Sequence, residues 1–219
     1  MCGRFAFYSP AEATAALFAA DASIAVEPRY NIAPTQYLAT IRGTADAGRE
    51  FVMLRWGLVP FWAKDPAIGS RMINARAETV AEKPSFRAAY RQRRCLVLAD
   101  GFYEWQHAGG AKTPYYISLA SGEPFAFAGL WEHWQAKDSA ESLQTTALIT
   151  TAANAFMTTV HDRMPVILQP ATADRWLAGD NQVLDDVTAN APELQAWPVD
   201  RRVNNARNEG PDLIKRQDS

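Results

Sequence analysis

Cysteine and histidine are scarce in this chain. Two Cys and three His among 219 residues, none closely spaced, supply no ligand set for a structural zinc site, and no metal or cofactor is expected. Charge of one sign is also scarce. The net charge is −2, so nothing global calls for nucleic acid. No apolar run approaches the length of a membrane span. The N-terminus lacks the basic and apolar regions of a secretory signal, which makes the cytoplasm the expected compartment. A reducing compartment leaves no reason to expect a Cys2–Cys95 disulfide. Cys95, inside the apolar run CLVLAD, reads as a small buried hydrophobe. Internal repeats and low-complexity linkers are missing as well.

What is present is a globular composition, 48% hydrophobic and 21% charged, in a chain long enough to bury most of its apolar surface. SPAEATAALFAA opens like a helix: Ser9 is placed to cap, Pro10 fits the first turn and Glu12 completes a capping box. EPRYNIAPTQ, broken by prolines, reads as an ordered loop. YLATIR and FVMLRW pair as a hairpin across GTADAGRE. The segment WGLVPFWAKDPAIGSRMINARAE has little periodicity and reads as irregular. Stretches of that length inside a compact domain are functional or disordered, and its aromatics argue against disorder.

Residues 85–94 form a short helix candidate. Five strand-like runs follow: RCLVLAD, GFYEWQ, TPYYISL, PFAFAGLW and QTTALIT. NAFMTTV is a short helix candidate, PVIL a strand, and ATADRWLAG a helix closed by Gly179. VLDDVTANAPELQAWPVD is too mixed to assign. The pattern predicts one α+β domain over residues 1–219, with a curved, barrel-like, mainly antiparallel β-sheet flanked by short helices and a polar tail at about 215–219. Regular βαβ alternation is missing, which excludes a doubly wound fold.

Several residues could carry chemistry. With Met1 removed, Cys2 would present an α-amine and a thiol on adjacent carbons. The amine would be partly neutral at pH 7, and a neighbouring cation such as Arg4 would lower the thiol pKa. The thiolate could attack a carbonyl, or the amine could condense with an aldehyde and the thiol close a thiazolidine. Position alone slightly favours an incidental cysteine at the chain terminus. His161, in TTVHDRMP, stands between a helix candidate and a Pro-bounded strand. His107 lies in a Gly-rich turn, and His133 sits between tryptophans. Strand alternation puts Glu104 on one face with Phe102 and Gln106, and Tyr103 and Trp105 on the other; partial burial would raise its pKa toward acid–base use, whereas an edge-strand glutamate would point at water.

In NARAE, Asn74, Arg76 and Glu78 alternate. Asn can orient a substrate and Arg can clamp a phosphate. Trp56, Pro60, Phe61 and Trp62 are either core or a stacking platform for bases. SFRAAYRQRRC carries Arg87, Arg91, Arg93 and Arg94 without an acid, either a solvated helix face or a phosphate-facing surface.

The motifs occur together and in order: MCGRF, YNIAPTQ, RWGLVPFWAKD, NARAET, CLVLADGFYEW, FAFAGLWE, TTAANAFMTTVHDRMPVIL and VNNARNEGPDLI. This succession, over residues 2–214, resembles the SOS response-associated peptidase (SRAP) family. The resemblance implies a single domain around a curved, barrel-like sheet and a protein that recognises abasic sites in single-stranded DNA. It implies a covalent thiazolidine crosslink through the terminal cysteine, a peptidase label that includes self-removal of Met1, and lyase activity. Carried over by motif, Cys2, Asn74, Glu104 and His161 are catalytic. Arg4, Arg76 and Arg163 would contact phosphates, with Asn31, Pro34, Trp56 and Trp62 also on the DNA-binding side. A monomer in the cytoplasm, nucleoid-associated when bound to DNA, is expected. An N-terminal-cysteine amidohydrolase is the main alternative, because glutamine amidotransferase domains also begin Met-Cys-Gly. A Cys2–His161–Glu104 peptidase and a non-catalytic strand binder are others.

Overall fold

The computed structural model describes residues 2–217 apart from 45, 47, 138 and 139. The first half of the chain forms β1 (Phe5–Phe7), α1 (Ala11–Leu17), β2 (Arg29–Ile32), β3 (Tyr37–Gly43), β4 (Arg49–Trp56), β5 (Asn74–Arg76) and α2 (Arg87–Gln92). A run of strands follows: β6 (Arg94–Ala99), β7 (Gly101–Ala108), β8 (Ala111–Leu119), β9 (Phe125–Gln135) and β10 (Ser142–Ala152). The chain ends through β11 (Arg163–Pro165), β12 (Ile167–Leu168), α3 (Pro170–Leu177), α4 (Val183–Ala189) and β13 (Leu194–Pro198).

Five of these strands close into a barrel. β4 pairs with β3, β3 with β6, β6 with β9, β9 with β10, and β10 returns to β4. Every step is antiparallel except the last, where β10 runs parallel to β4. β5 continues that parallel seam along β10, so Asn74 lies opposite Leu148 and Arg76 opposite Thr150. β11 takes the other edge of the same end of β10, setting Arg163 opposite Ala152. β6, RCLVLA, is buried along its whole length because the barrel interior covers one face and α3 the other. The Trp176 indole on α3 donates to Cys95 O at 3.0 Å. Gly129 on β9 is required by this closeness, since a Cβ there would stand 2.8 Å from the Cys95 sulfur.

At Asp100 the chain leaves the barrel for a second, wholly antiparallel sheet of order β13-β8-β7-β1-β2. Aromatic edges lock the two sheets together. Phe5 on β1 meets Trp56 at 5.3 Å and Phe127 at 5.5 Å, and Phe102 on β7 meets Phe127 at 6.1 Å. The expected α+β class and barrel-like curvature are therefore what the chain adopts. No helix among the described residues is long and apolar enough to cross a membrane.

Five local expectations change. EPRYNIAPTQ, read as a loop, contains β2, and the segment read as irregular contains β5, because β1 and β10 offer them strand edges. Ser9 does not cap α1. Its amide and hydroxyl go to the buried Asp100 carboxylate, which also accepts Tyr8 N–H, so a tertiary acceptor outcompetes the helix end. NAFMTTV supplies only a 3-10 turn at Met157–Thr159. The unassigned VLDDVTANAPELQAWPVD contains both α4 and β13.

Candidate active site

Cys2 stands three residues before the start of β1, a strand held on one side by β2 and on the other by β7. Tyr103 N–H donates to Arg4 O at 2.9 Å, which fixes the chain end beside Glu104, the next residue of β7. From the barrel side, Asn74 Nδ2 donates to Cys2 O at 2.7 Å. The Asn74 amide oxygen is buried with no hydrogen-bond partner among the described residues. A buried acceptor in that condition is costly unless a donor reaches it.

Glu104 is buried, as its flanking aromatics suggested, and burial pushes its carboxyl above the ordinary value while His161 pulls the other way. The His161 Nε2 lies 3.9 Å from Glu104 Oε2. Its Nδ1 has two neighbours at 2.9 Å, the backbone N–H of Arg163 and Asp162 Oδ1. These demand opposite protonation, because the amide needs a lone pair and the carboxylate needs a proton. Asp162 is largely in water and can turn away, whereas the amide is fixed by β11. The tautomer set by the amide carries its proton on Nε2, facing Glu104.

The Cys2 thiol is buried and held protonated. Desolvation is the main cause, and the nearby Glu104 charge adds to it. The expected depression of its pKa by Arg4 does not occur. The Arg4 guanidinium turns away to Asn31 Oδ1 at 2.8 Å and Val203 O at 2.7 Å, while its Nε makes no hydrogen bond among the described residues. The four residues brought together thus comprise a buried thiol, a carboxyl raised above its ordinary value, an imidazole N–H donor and an amide that holds the chain end.

The remaining residues divide into rim and scaffold. Arg76, two residues beyond Asn74 on β5, is exposed and makes no side-chain hydrogen bond or ion pair among the described residues. Arg163, two residues beyond His161, lies across β10 from it and is engaged by Glu78. Trp62 and Phe61 are 48% and 57% exposed, a large aromatic area in water. Pro34 is half-buried in the turn before β3.

Trp56 and Asn31 are corrections. Trp56 is completely buried, its indole donating to Ile73 O at 2.9 Å, so it packs the barrel and offers no face to a base. Asn31 is equally buried. Its Nδ2 reaches Val203 O, Asn205 O and Asn208 O while its Oδ1 holds Arg4, so it builds the wall beside the site. Sequence reasoning gave no role to Glu78 or to the carbonyls of residues 203–208. Alternation in NARAE was the signal for Glu78; for backbone carbonyls no signal exists.

Comparison with known proteins gives a consistent picture. The model of the SOS response associated peptidase (SRAP) family matches residues 1–206. The Bacillus subtilis abasic site processing protein YoqW is 41% identical, covering 98% of this chain and 99% of its own. The Escherichia coli abasic site processing protein YedK is 31% identical over 98% and 99%. The Xenopus tropicalis abasic site processing protein HMCES is 33% identical, covering 86% of this chain and 66% of its own. A crystal structure of a Bacteroides thetaiotaomicron protein superposes with a TM-score of 0.85 at 26% identity, over 99% of this chain and 100% of that one. By the extent of the family match and the identity to relatives of the same length, this chain belongs to the SRAP family.

Proposed function

We propose that this protein processes abasic sites in single-stranded DNA by trapping them covalently on Cys2. The observation that carries the reading is that Asn74 and Glu104 meet at the residue behind the initiator methionine, with His161 beside Glu104. Met1 itself lies outside the described residues. Its removal, the peptidase step of this reading, would free the α-amine.

The chemistry balances without a cofactor. An abasic deoxyribose opens to an aldehyde. The Cys2 amine condenses with it, forming a C=N bond and releasing one water. The sulfur then adds to the imine carbon, and the thiol proton moves to nitrogen, closing a thiazolidine. The His161 Nε2–H is suited to donate to the ring-opened sugar oxygen, and Glu104 to shuttle the amine and thiol protons. A thiol held protonated by burial needs such a base at hand. Arg4, Arg76 and Arg163 serve phosphates, while Trp62 and Pro34 meet neighbouring bases. A lyase outcome would follow if the imine loses the strand before the ring closes.

The test is a denaturing gel of the purified protein with a single-stranded oligonucleotide carrying one abasic site. A covalent shifted band, absent for Cys2→Ala and for an intact oligonucleotide, is expected, with an intact mass lacking Met1. Hydrolysis of glutamine or of peptides without that band would instead support an amide-cleaving enzyme.

A further inference from the structure

Among the described residues, Arg163 is the rim arginine whose guanidinium is paired directly with an acid. Its NH1 donates to Glu78 Oε1 at 2.6 Å and its NH2 to Glu78 Oε2 at 3.0 Å, a two-pronged pair. NH2 also reaches Thr150 O at 2.8 Å, so β10 fixes the guanidinium from below. The Arg163 side chain is 15% exposed and that of Glu78 47%, which puts the carboxylate on the solvent side of the cation. Across β10 stands Arg76, exposed and without such a partner. The same rim thus holds one cation paired directly with Glu78 and one that feels the Glu78 charge without a hydrogen bond to it.

We propose that Glu78 is an affinity-setting residue of the DNA-binding face: it occupies Arg163 and must be displaced before a phosphate can be held there. This rests on the reading above that Arg163 meets a phosphate. A carboxylate and a phosphate cannot share one guanidinium without repulsion, so each strand that binds gives up the Glu78 contact. The counterion release that drives strand binding is reduced accordingly, because the pair carries no net charge. Intact DNA is held more weakly than the arginine count suggests, and retention depends on the bond to Cys2. The Arg163 guanidinium holds the Glu78 carboxyl below its ordinary value, in keeping with the two-pronged pair.

The experiment uses the full chain and an undamaged single-stranded oligonucleotide, so that no crosslink contributes. Anisotropy titrations over a salt series compare the wild type, Glu78→Gln, Arg163→Ala and the double variant. The glutamine amide oxygen can still accept from Arg163, so the arginine keeps its place and only the charge is lost. Glu78→Gln is expected to bind about two- to tenfold more tightly. Its log–log salt slope should steepen by about 0.7, the share of one phosphate on a single strand. The gain should vanish when Arg163 is alanine. Unchanged or weaker binding by Glu78→Gln, or a gain that survives without Arg163, overturns the proposal. So does an Arg163→Ala variant that binds like the wild type. Crosslinking of an abasic oligonucleotide by the wild type reports separately on the broader function.

Discussion

At the scale of single residues, Glu104 shows the cost of a site most plainly. Its carboxyl is raised above the usual 4.5 because burial disfavours the charge. Between that value and the raised one, the folded protein binds more protons than the unfolded chain. Stability therefore falls as pH rises through this window and stays lower above it. Glu104→Gln should raise Tm by a few degrees at neutral pH, with the gain disappearing below about pH 4.5; thermal unfolding across a pH series checks this. The same variant should slow crosslinking by roughly a hundredfold or more. The placement of Glu104 was only half legible in sequence: alternation and the flanking Tyr103 and Trp105 made it a candidate for shelter, but an edge-strand glutamate facing water fits the same pattern, and its burial decides between them. The tryptophans were not legible. Trp56 and Trp62 sit in the same aromatic-rich stretch, and only the Ile73 carbonyl waiting in the barrel decides which is core and which faces water.

At the scale of elements, the site is built by short pieces that borrow their order from neighbours. β1 has three residues, yet strands on both sides and the loop at residues 203–208 hold it. Asn31 is the rivet of that loop, through three donated hydrogen bonds and one accepted from Arg4. Asn31→Ala strands several buried groups at once and should lower stability by about 2–4 kcal/mol, read from urea unfolding. Crosslinking should fall with it as Arg4 loses its tether. The long strands β3, β4 and β6–β10 declared themselves through apolar runs and turn residues between them. The missed elements were those whose reasons lie elsewhere in the chain. α4 is seven residues with acids in its first turn, and β13 forms only because β8 offers it an edge. Ser9, a cap by pattern, was claimed by Asp100 instead.

At the scale of the whole molecule, curvature was legible but closure was not. Alternating runs announce an antiparallel sheet that curls, whereas the strand pair that shuts the ring joins residues far apart in sequence and runs parallel. That closing seam has a consequence for motion. β9 and β10 are matched at seven residue pairs, from Ser142↔Gln135 to Leu148↔Gly129, while β4 and β10 share two, Thr145↔Arg55 and Thr146↔Trp56. If the barrel breathes, this is where it unzips. Amide hydrogen exchange should find the Gly57 N–H, bonded to Thr146 O, exchanging before the amides between β6 and β9; the reverse order would refute a hinge at the seam. The chain leaves β4 there on its way to the exposed Trp62. Opening of the seam would reach Cys2 as well, because Trp56 at the end of β4 packs on Phe5 and Asn74 on β5 holds Cys2 O, so any swing of this segment is geared to the position of the cysteine.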